Sequence, residues 1–190
     1  MGIFLNQFMV RQQQEKQQTV FARRAAEVAS AFHISLGPDI ETLDSVGRYI
    51  TVKQGEHSGD NSFDPYEFLE LVNRPLARGA GLRALGWLPR VEGENRDGFE
   101  ERMAETDEGF ELLEFNPAGQ RIRAEFRPLY FPVAYVQPVD YARPLVGADL
   151  FAHPLVKPAM IRARDSGGIQ ASLPVELITD AGGGAGVFLI

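Results

Sequence analysis

Tyr130 to Leu150 reads YFPVAYVQPVDYARPLVGADL, and its spacing predicts two strands of a central sheet joined by a short polar loop. Successive side chains on a strand face opposite ways, so Phe131, Val133, Tyr135 and Gln137 are expected on one face and Tyr130, Ala134 and Val136 on the other. Both faces are largely apolar. Each therefore needs cover, either helices or a cavity walled by aromatic side chains. The second strand, Leu145 to Leu150, is small and apolar except for Asp149, expected on the face of Leu145 and Gly147. A lone acid in such a strand requires a partner.

Working outward, Leu82 to Val91 (LRALGWLPRV) predicts another strand, carrying the single tryptophan, Trp87. ENRDGFEERMAE then predicts a short helix with Phe99 and Met103 inward. Glu100 and Glu101 on it diverge by about 100 degrees and read as surface charge. Phe110 to Phe115 and Arg121 to Glu125 read as strands around an Asn116-Pro117-Ala118-Gly119 turn. On the C-terminal side, His153 to Arg164 reads as a helix ended by Gly167-Gly168. Ile169 to Ile178 and Gly186 to Ile190 read as a hairpin around Asp180 to Ala185. The last strand runs to the final residue, which predicts a sequence that stops short of the natural end of its domain.

Three helices are expected before the sheet. Phe4 to Phe32 lacks Pro and internal Gly, and Phe21, Ala25, Val28 and Phe32 share one helix face. Its QQQEKQQ half is polar all round, which suits a stalk or one member of a helical dimer. Gly37-Pro38-Asp39 is expected to break this helix, with Asp39 capping a second one that carries Ile40, Leu43, Val46 and Ile50. A third starts at Asp64, with Pro65 at its first position and Glu67 closing a capping box. Phe68, Leu71, Val72 and Leu76 form its buried stripe, and Pro75 bends or ends it. Most strand connections are too short for parallel crossovers, so the class is α+β, with an antiparallel sheet flanked by helices. The expected units are a stalk over 1–36, a helical segment packing on it over 37–80, and a sheet domain over 81–190.

The 190 residues, 44% hydrophobic and 24% charged, suit a globular chain of one good-sized domain. A net charge of −7 with scattered Lys and Arg argues against a nucleic-acid partner. Arg121, Arg123 and Arg127 alternate with other residues and read as decoration of a strand face. There is no cysteine, which removes disulfides and thiolate metal sites. No apolar run approaches the roughly 20 residues of a membrane span, and no signal peptide is recognisable.

Signatures of chemistry are sparse. His33, His57 and His153 lie in separate elements with no metal-ligand spacing, and no GxSxG elbow is present. Gly182 to Gly186 lacks the Lys-Ser/Thr ending of a phosphate loop and leads into a strand, so no helix N-terminus would face an anion. What remains is a set of polar groups among aromatics: Tyr130, Tyr135, Gln137, Asp140, Tyr141, Asp149 and Ser172. Such a set suits the wall of a pocket for a small flat organic ligand. It equally suits a packed core with tyrosine hydroxyls at its rim. A hydrolase or lyase using Asp140 or Asp149 as base is a third reading.

Several of these pieces, in order, carry a resemblance. LRALGWLPRV, then Arg96, Phe99 and Glu100, then YFPVAYVQP at Tyr130 to Pro138, then Gly147, Asp149 and Leu150, then ARDSG before Ser172 and Pro174 together resemble the CHASE family. Its members are extracytoplasmic sensor domains of histidine kinases and of cyclic-nucleotide enzymes and cyclases, diguanylate cyclase among them. The resemblance implies a stalk helix, PAS-like ligand-binding architecture and a periplasmic location; the polar first half of the N-terminal helix suits homodimerisation through it, and no cofactor and no catalysis are expected. Plant members bind cytokinin, an N6-substituted adenine. By position, Ser172 falls where those receptors have a pocket threonine and Ile161 where they have a leucine. Pro138 falls near their adenine-binding acid, with Asp140 two residues on. The implied function is a sensor of a small organic ligand; the alternative is a dimerisation or interaction module independent of ligand.

Overall fold

Asp64 opens a helix as its sequence predicts: its Oδ1 accepts from the N–H of Tyr66 at 2.7 Å and of Glu67 at 3.2 Å, supplying partners that the first turn lacks. The computed structural model describes residues 36–53, 64–78, 81–179 and 182–190. The expected stalk helix with Phe21, Ala25, Val28 and Phe32, the loop from Gln54 to Asn61, and the hairpin tip at Asp180 and Ala181 lie outside the described residues. Residues 36–53 form α1, and Pro65–Arg78 form α2. Helical backbone is already present at residue 36. Gly37-Pro38-Asp39 therefore lies within α1, where Asp39 is a buried helical residue and not a cap. Pro75 does not end α2, which continues to Arg78. A proline this near the end forfeits one backbone bond and leaves the rest of the helix intact.

Val46 and Ile50 of α1 pack against Phe68 and Val72 of α2, with Leu43, Leu71 and Leu76 beside them. Glu67 ties the pair together, accepting from Tyr49 Oη at 2.8 Å and meeting Lys53 Nζ at 2.8 Å. The same cluster takes in Leu85, Trp87 and Tyr135, so the two helices rest directly on the sheet.

The sheet begins with β1 (Leu85–Trp87) and β2 (Val91–Glu92), followed by α3 (Arg96–Ala104), β3 (Leu113–Phe115) and β4 (Arg121–Arg123). Residues 129–137, which contain β5 (Leu129–Tyr130) and β6 (Tyr135–Gln137), form its spine. One edge of this spine pairs antiparallel with β1 and β2. The other pairs with residues 147–150, through the Pro132–Asp149 bridge and bonds from Val133 N to Ala148 O at 3.0 Å and Gly147 N to Val133 O at 2.9 Å. Residues 147–149 in turn meet β3, whose outer neighbour is β4. All four named strand pairs are antiparallel. The Leu113–Ala148 bridge is parallel, a departure from the all-antiparallel expectation that becomes possible because the chain traverses β4 and the whole spine between those residues.

The spine is not one regular strand. Trp87 faces Tyr135, whereas Val91 faces Tyr130, so three residues on one side span four on the other. That offset is a β-bulge within Phe131–Ala134. It changes which way the side chains point. Tyr130 and Ala134 enter one core with Val91, Phe99, Met103, Phe110 and Leu112, and Tyr135 packs on that same core. Val133 and Val136 enter the other, with Ala148, Leu150 and Val156. The expected single face of Phe131, Val133, Tyr135 and Gln137 is therefore divided.

The loop after β6 is mostly helical: α4 (Val139–Ala142) is followed by a 3-10 turn over Arg143–Leu145, so Leu145 is not part of a strand with Asp149. A second 3-10 turn, Leu150–Ala152, precedes α5 (Lys157–Ser166). Gly167 ends α5 with φ 66°, its N–H bonded to Ala163 O at 2.8 Å. β7 (Val175–Thr179) and β8 (Gly182–Gly186) close the chain as a hairpin extended by the Ala171–Leu189 bridge. The glycine run is thus a paired strand, where a turn was expected; pairing with β7 overrides the poor strand propensity of glycine. Val175, Phe188 and Ile190 cover the second core.

Candidate ligand site

Tyr130 is fully buried on the α3 side of the spine. Its hydroxyl donates to Glu125 O at 2.9 Å and accepts from Arg127 N–H at 2.7 Å. The Arg96 guanidinium lies over its ring, 5.5 Å from the centroid. Arg96 is itself buried and donates to Ala124 O at 2.8 Å and to Glu100 at 3.3 Å. Glu100 accepts from Leu112 N–H at 2.7 Å and pairs with Arg123 at 2.9 Å. Glu100 is therefore an interior carboxylate, not the surface charge its sequence neighbourhood predicted, while Glu101 is exposed. Helix geometry separates the two but leaves open which one turns inward; the guanidinium of Arg96 one turn earlier decides it.

Asp149 answers the need for a partner in its own way. Its Oδ1 accepts from Phe131 N–H at 2.9 Å and Phe151 N–H at 3.1 Å, joining the spine to the 3-10 turn. Its side chain is 0% exposed, and Oδ2 faces Arg127 NH1 across 3.8 Å. Arg127 NH2 also meets Glu114 Oε2 at 2.5 Å, a charge contact out of line for a hydrogen bond, since that oxygen receives no aligned donor. Glu114 and Arg127 were not among the candidate residues. The available signal was parity: Glu114 lies two positions from Leu112, the most buried residue of its segment, and so shares its inward face.

The other candidates are dispersed. Tyr135 is half-buried with its ring 6.0 Å from that of Phe68, and its hydroxyl has no hydrogen-bond partner among the described residues. Burial, and secondarily the Asp64 carboxylate, hold its pKa above the ordinary phenol value, so it remains a donor. Gln137 pairs with Leu85 at the end of β6. Asp140 is exposed on α4, and Ile161 is half-buried on α5. Ser172 is buried; its hydroxyl donates to Leu173 O at 2.8 Å and accepts from Phe188 N–H at 3.0 Å, within the terminal hairpin. No hydrogen bond or ring contact joins these side chains to one another among the described residues. No group of three or more metal-ligating side chains is found there either.

The part of the chain that carries α2, the spine and the hairpin matches one known family. The family model of the CHASE domain matches residues 61–190. The chain belongs to the CHASE domain family. CHASE domains are generally extracellular sensor domains of signalling proteins, and no described helix is long and apolar enough to cross a membrane. A search of curated proteins finds no match. Within this CHASE domain the Arg96–Phe99–Glu100 motif is accounted for by the fold, because Arg96 and Glu100 bond each other and Phe99 packs in the core.

Burial raises the pKa of Asp149 above the usual carboxylate range, against the opposing pull of the Phe131 and Phe151 amides and of Arg127. The folded CHASE domain thus holds this proton more tightly than the unfolded chain. The stabilisation is full at pH below the ordinary carboxylate pKa and is lost as pH rises through the folded value. Asp149→Asn keeps an oxygen for the two amides and removes the charge. Its melting temperature should match or exceed that of the parent at pH 7, with the difference closing as pH falls toward 4. A variant that loses stability at pH 7 would show that the charge of Asp149 supports the fold.

Proposed function

We propose that this chain is the PAS-like, ligand-binding part of an extracytoplasmic sensor, and that it recognises a small organic molecule. Ligand binding shifts the population between two arrangements of sheet and helices, and the N-terminal helix passes that shift to a membrane-linked kinase or cyclase. A homodimer formed through the face of Phe21 and Val28 is the natural form for such relay. The observation that carries the reading is Tyr135. Its ring is half-buried where α2 meets the spine, while its hydroxyl makes no hydrogen bond among the described residues and so stands available as a donor to an incoming molecule. Trp87 and Phe68 stand beside it in the same cluster, giving the apolar walls that suit a flat ligand.

The test is a thermal-shift screen of the chain against adenine derivatives, cytokinins, amino acids and small organic acids. A ligand at 100 times its dissociation constant adds about 2.7 kcal/mol to stability, or roughly 5–10 °C for a chain of this size. The shift should shrink in Tyr135→Phe, which keeps the contact with Phe68 and removes only the donor. Absence of any shift from a demonstrably folded chain would overturn the reading in favour of an interaction module.

A further inference from the structure

Gly186 to Ile190 reads GVFLI and runs antiparallel to the segment from Gln170 to Val175. The bonds of this pairing fall on alternate residues. The N–H of Phe188 donates to Ser172 Oγ at 3.0 Å and its carbonyl accepts from Ser172 N–H at 2.8 Å, while Ile190 and Gln170 exchange backbone bonds at 2.9 and 2.8 Å. Residues between such pairs turn their N–H and C=O the other way. Those of Val187 and Leu189 therefore face outward, along an edge that no described strand covers. The side chains there are incompletely covered too: Phe188, Leu189 and Ile190 are half-buried, and Val187 is 45% exposed. An apolar edge of this kind is a template for another strand unless a charge or a proline blunts it, and Ala181 to Ile190 contains neither.

We propose that this edge pairs antiparallel with the same edge of a second copy of the chain, about a twofold axis beside Phe188. Charge favours that occupant. The chain carries −7, so copies repel one another at long range, whereas this edge is neutral. The axis sets Val187 opposite Leu189 of the second copy and Phe188 opposite its equivalent, so apolar meets apolar at each step. The outward N–H and C=O groups of Val187 and Leu189 then bond those of the second copy. β8 continues the edge as GGGAG, and its glycines carry no side chain to keep a second backbone away. A lipid surface would cover the side chains but leave those backbone groups unmet. The contact is separate from any pairing of the N-terminal helices.

The experiment is sedimentation of the full chain across micromolar to millimolar concentrations, for the parent and for Val187→Lys, which puts a charge on the edge from a position outside both cores. The variant should self-associate about tenfold or more weakly while circular dichroism stays that of the parent. Register is tested by mixing Val187→Cys chains with Leu189→Cys chains under oxidation, which is clean because the sequence has no other cysteine. Disulfides between unlike chains should exceed their statistical share, since the axis places these two positions opposite each other. A parent that stays monomeric throughout overturns the assignment. So does association unchanged by Val187→Lys, or disulfides formed in merely statistical proportion. If Val187→Lys unfolds the chain, the disulfide pattern decides alone. Neither result touches the sensor reading, which the ligand screen tests.

Discussion

Gly147→Ala is expected to lower the melting temperature by about 10 °C or more. Gly147 has φ +81°, a conformation that costs a residue with a Cβ about 1–2 kcal/mol. The added Cβ would also lie 2.3 Å from Glu111 O, a backbone atom that cannot rotate away. Relief requires the two chains to part, yet Gly147 is held on both sides: its N–H donates to Val133 O at 2.9 Å and its carbonyl accepts from Leu113 N–H at 2.8 Å. Strain plus the loss of these bonds amounts to about 3–5 kcal/mol, against a total stability of about 5–15 kcal/mol for a domain. At roughly 2–4 °C per kcal/mol for this chain length, thermal unfolding followed by circular dichroism resolves the effect easily. A drop below about 3 °C would mean that residues 147–149 are not clamped between the spine and β3.

Arg96→Met comes second in size. The guanidinium serves Ala124 O, Glu100 and the Tyr130 ring from a buried position. Methionine fills much of the volume but leaves the carbonyl without its donor and Glu100 with Arg123 as its remaining cation. Breaking a buried pair from one side costs about 3–5 kcal/mol. Arg123→Ala is the comparison, since Arg123 reaches the same carboxylate from an exposed strand, where such pairs contribute about 0–1 kcal/mol. Urea unfolding of the two variants should separate them clearly. If Arg96→Met cost no more than Arg123→Ala, Arg96 would not be the centre of the α3 side of the core.

What was readable in the sequence was what repeats locally. The Asp64 cap, the Phe68–Val72 stripe, the inward Phe99 and Met103 and the stop at Gly167 each depend on residues within a turn or two of one another. The family is legible too, because its motifs fall in order along one chain. The rest is long-range. Nothing in the letters around Asp149 points to Arg127, twenty-two positions earlier and on another segment. Asp39 has the composition of a cap but is buried in α1, and the glycines of β8 have the composition of a turn but pair residue for residue with β7. For the glycines a partner strand overrides the local preference. The candidate site shares this limit: alternation placed Phe131, Val133, Tyr135 and Gln137 together, and one uncounted residue sends Val133 and Tyr135 to different cores.

That residue sets a rule for how the segment can change over evolution. Deleting one position between Phe131 and Ala134 would restore even pairing with residues 88–90 and at the same stroke exchange the inner and outer faces of everything on one side of the cut. Many letters in FPVA could be replaced by others of similar bulk at modest cost. Its length could not. Homologous sequences aligned through this stretch should therefore vary in composition while keeping the same count of residues between the partners of Val91 and Trp87, and a gap placed there marks an error of alignment or a different arrangement of the two cores.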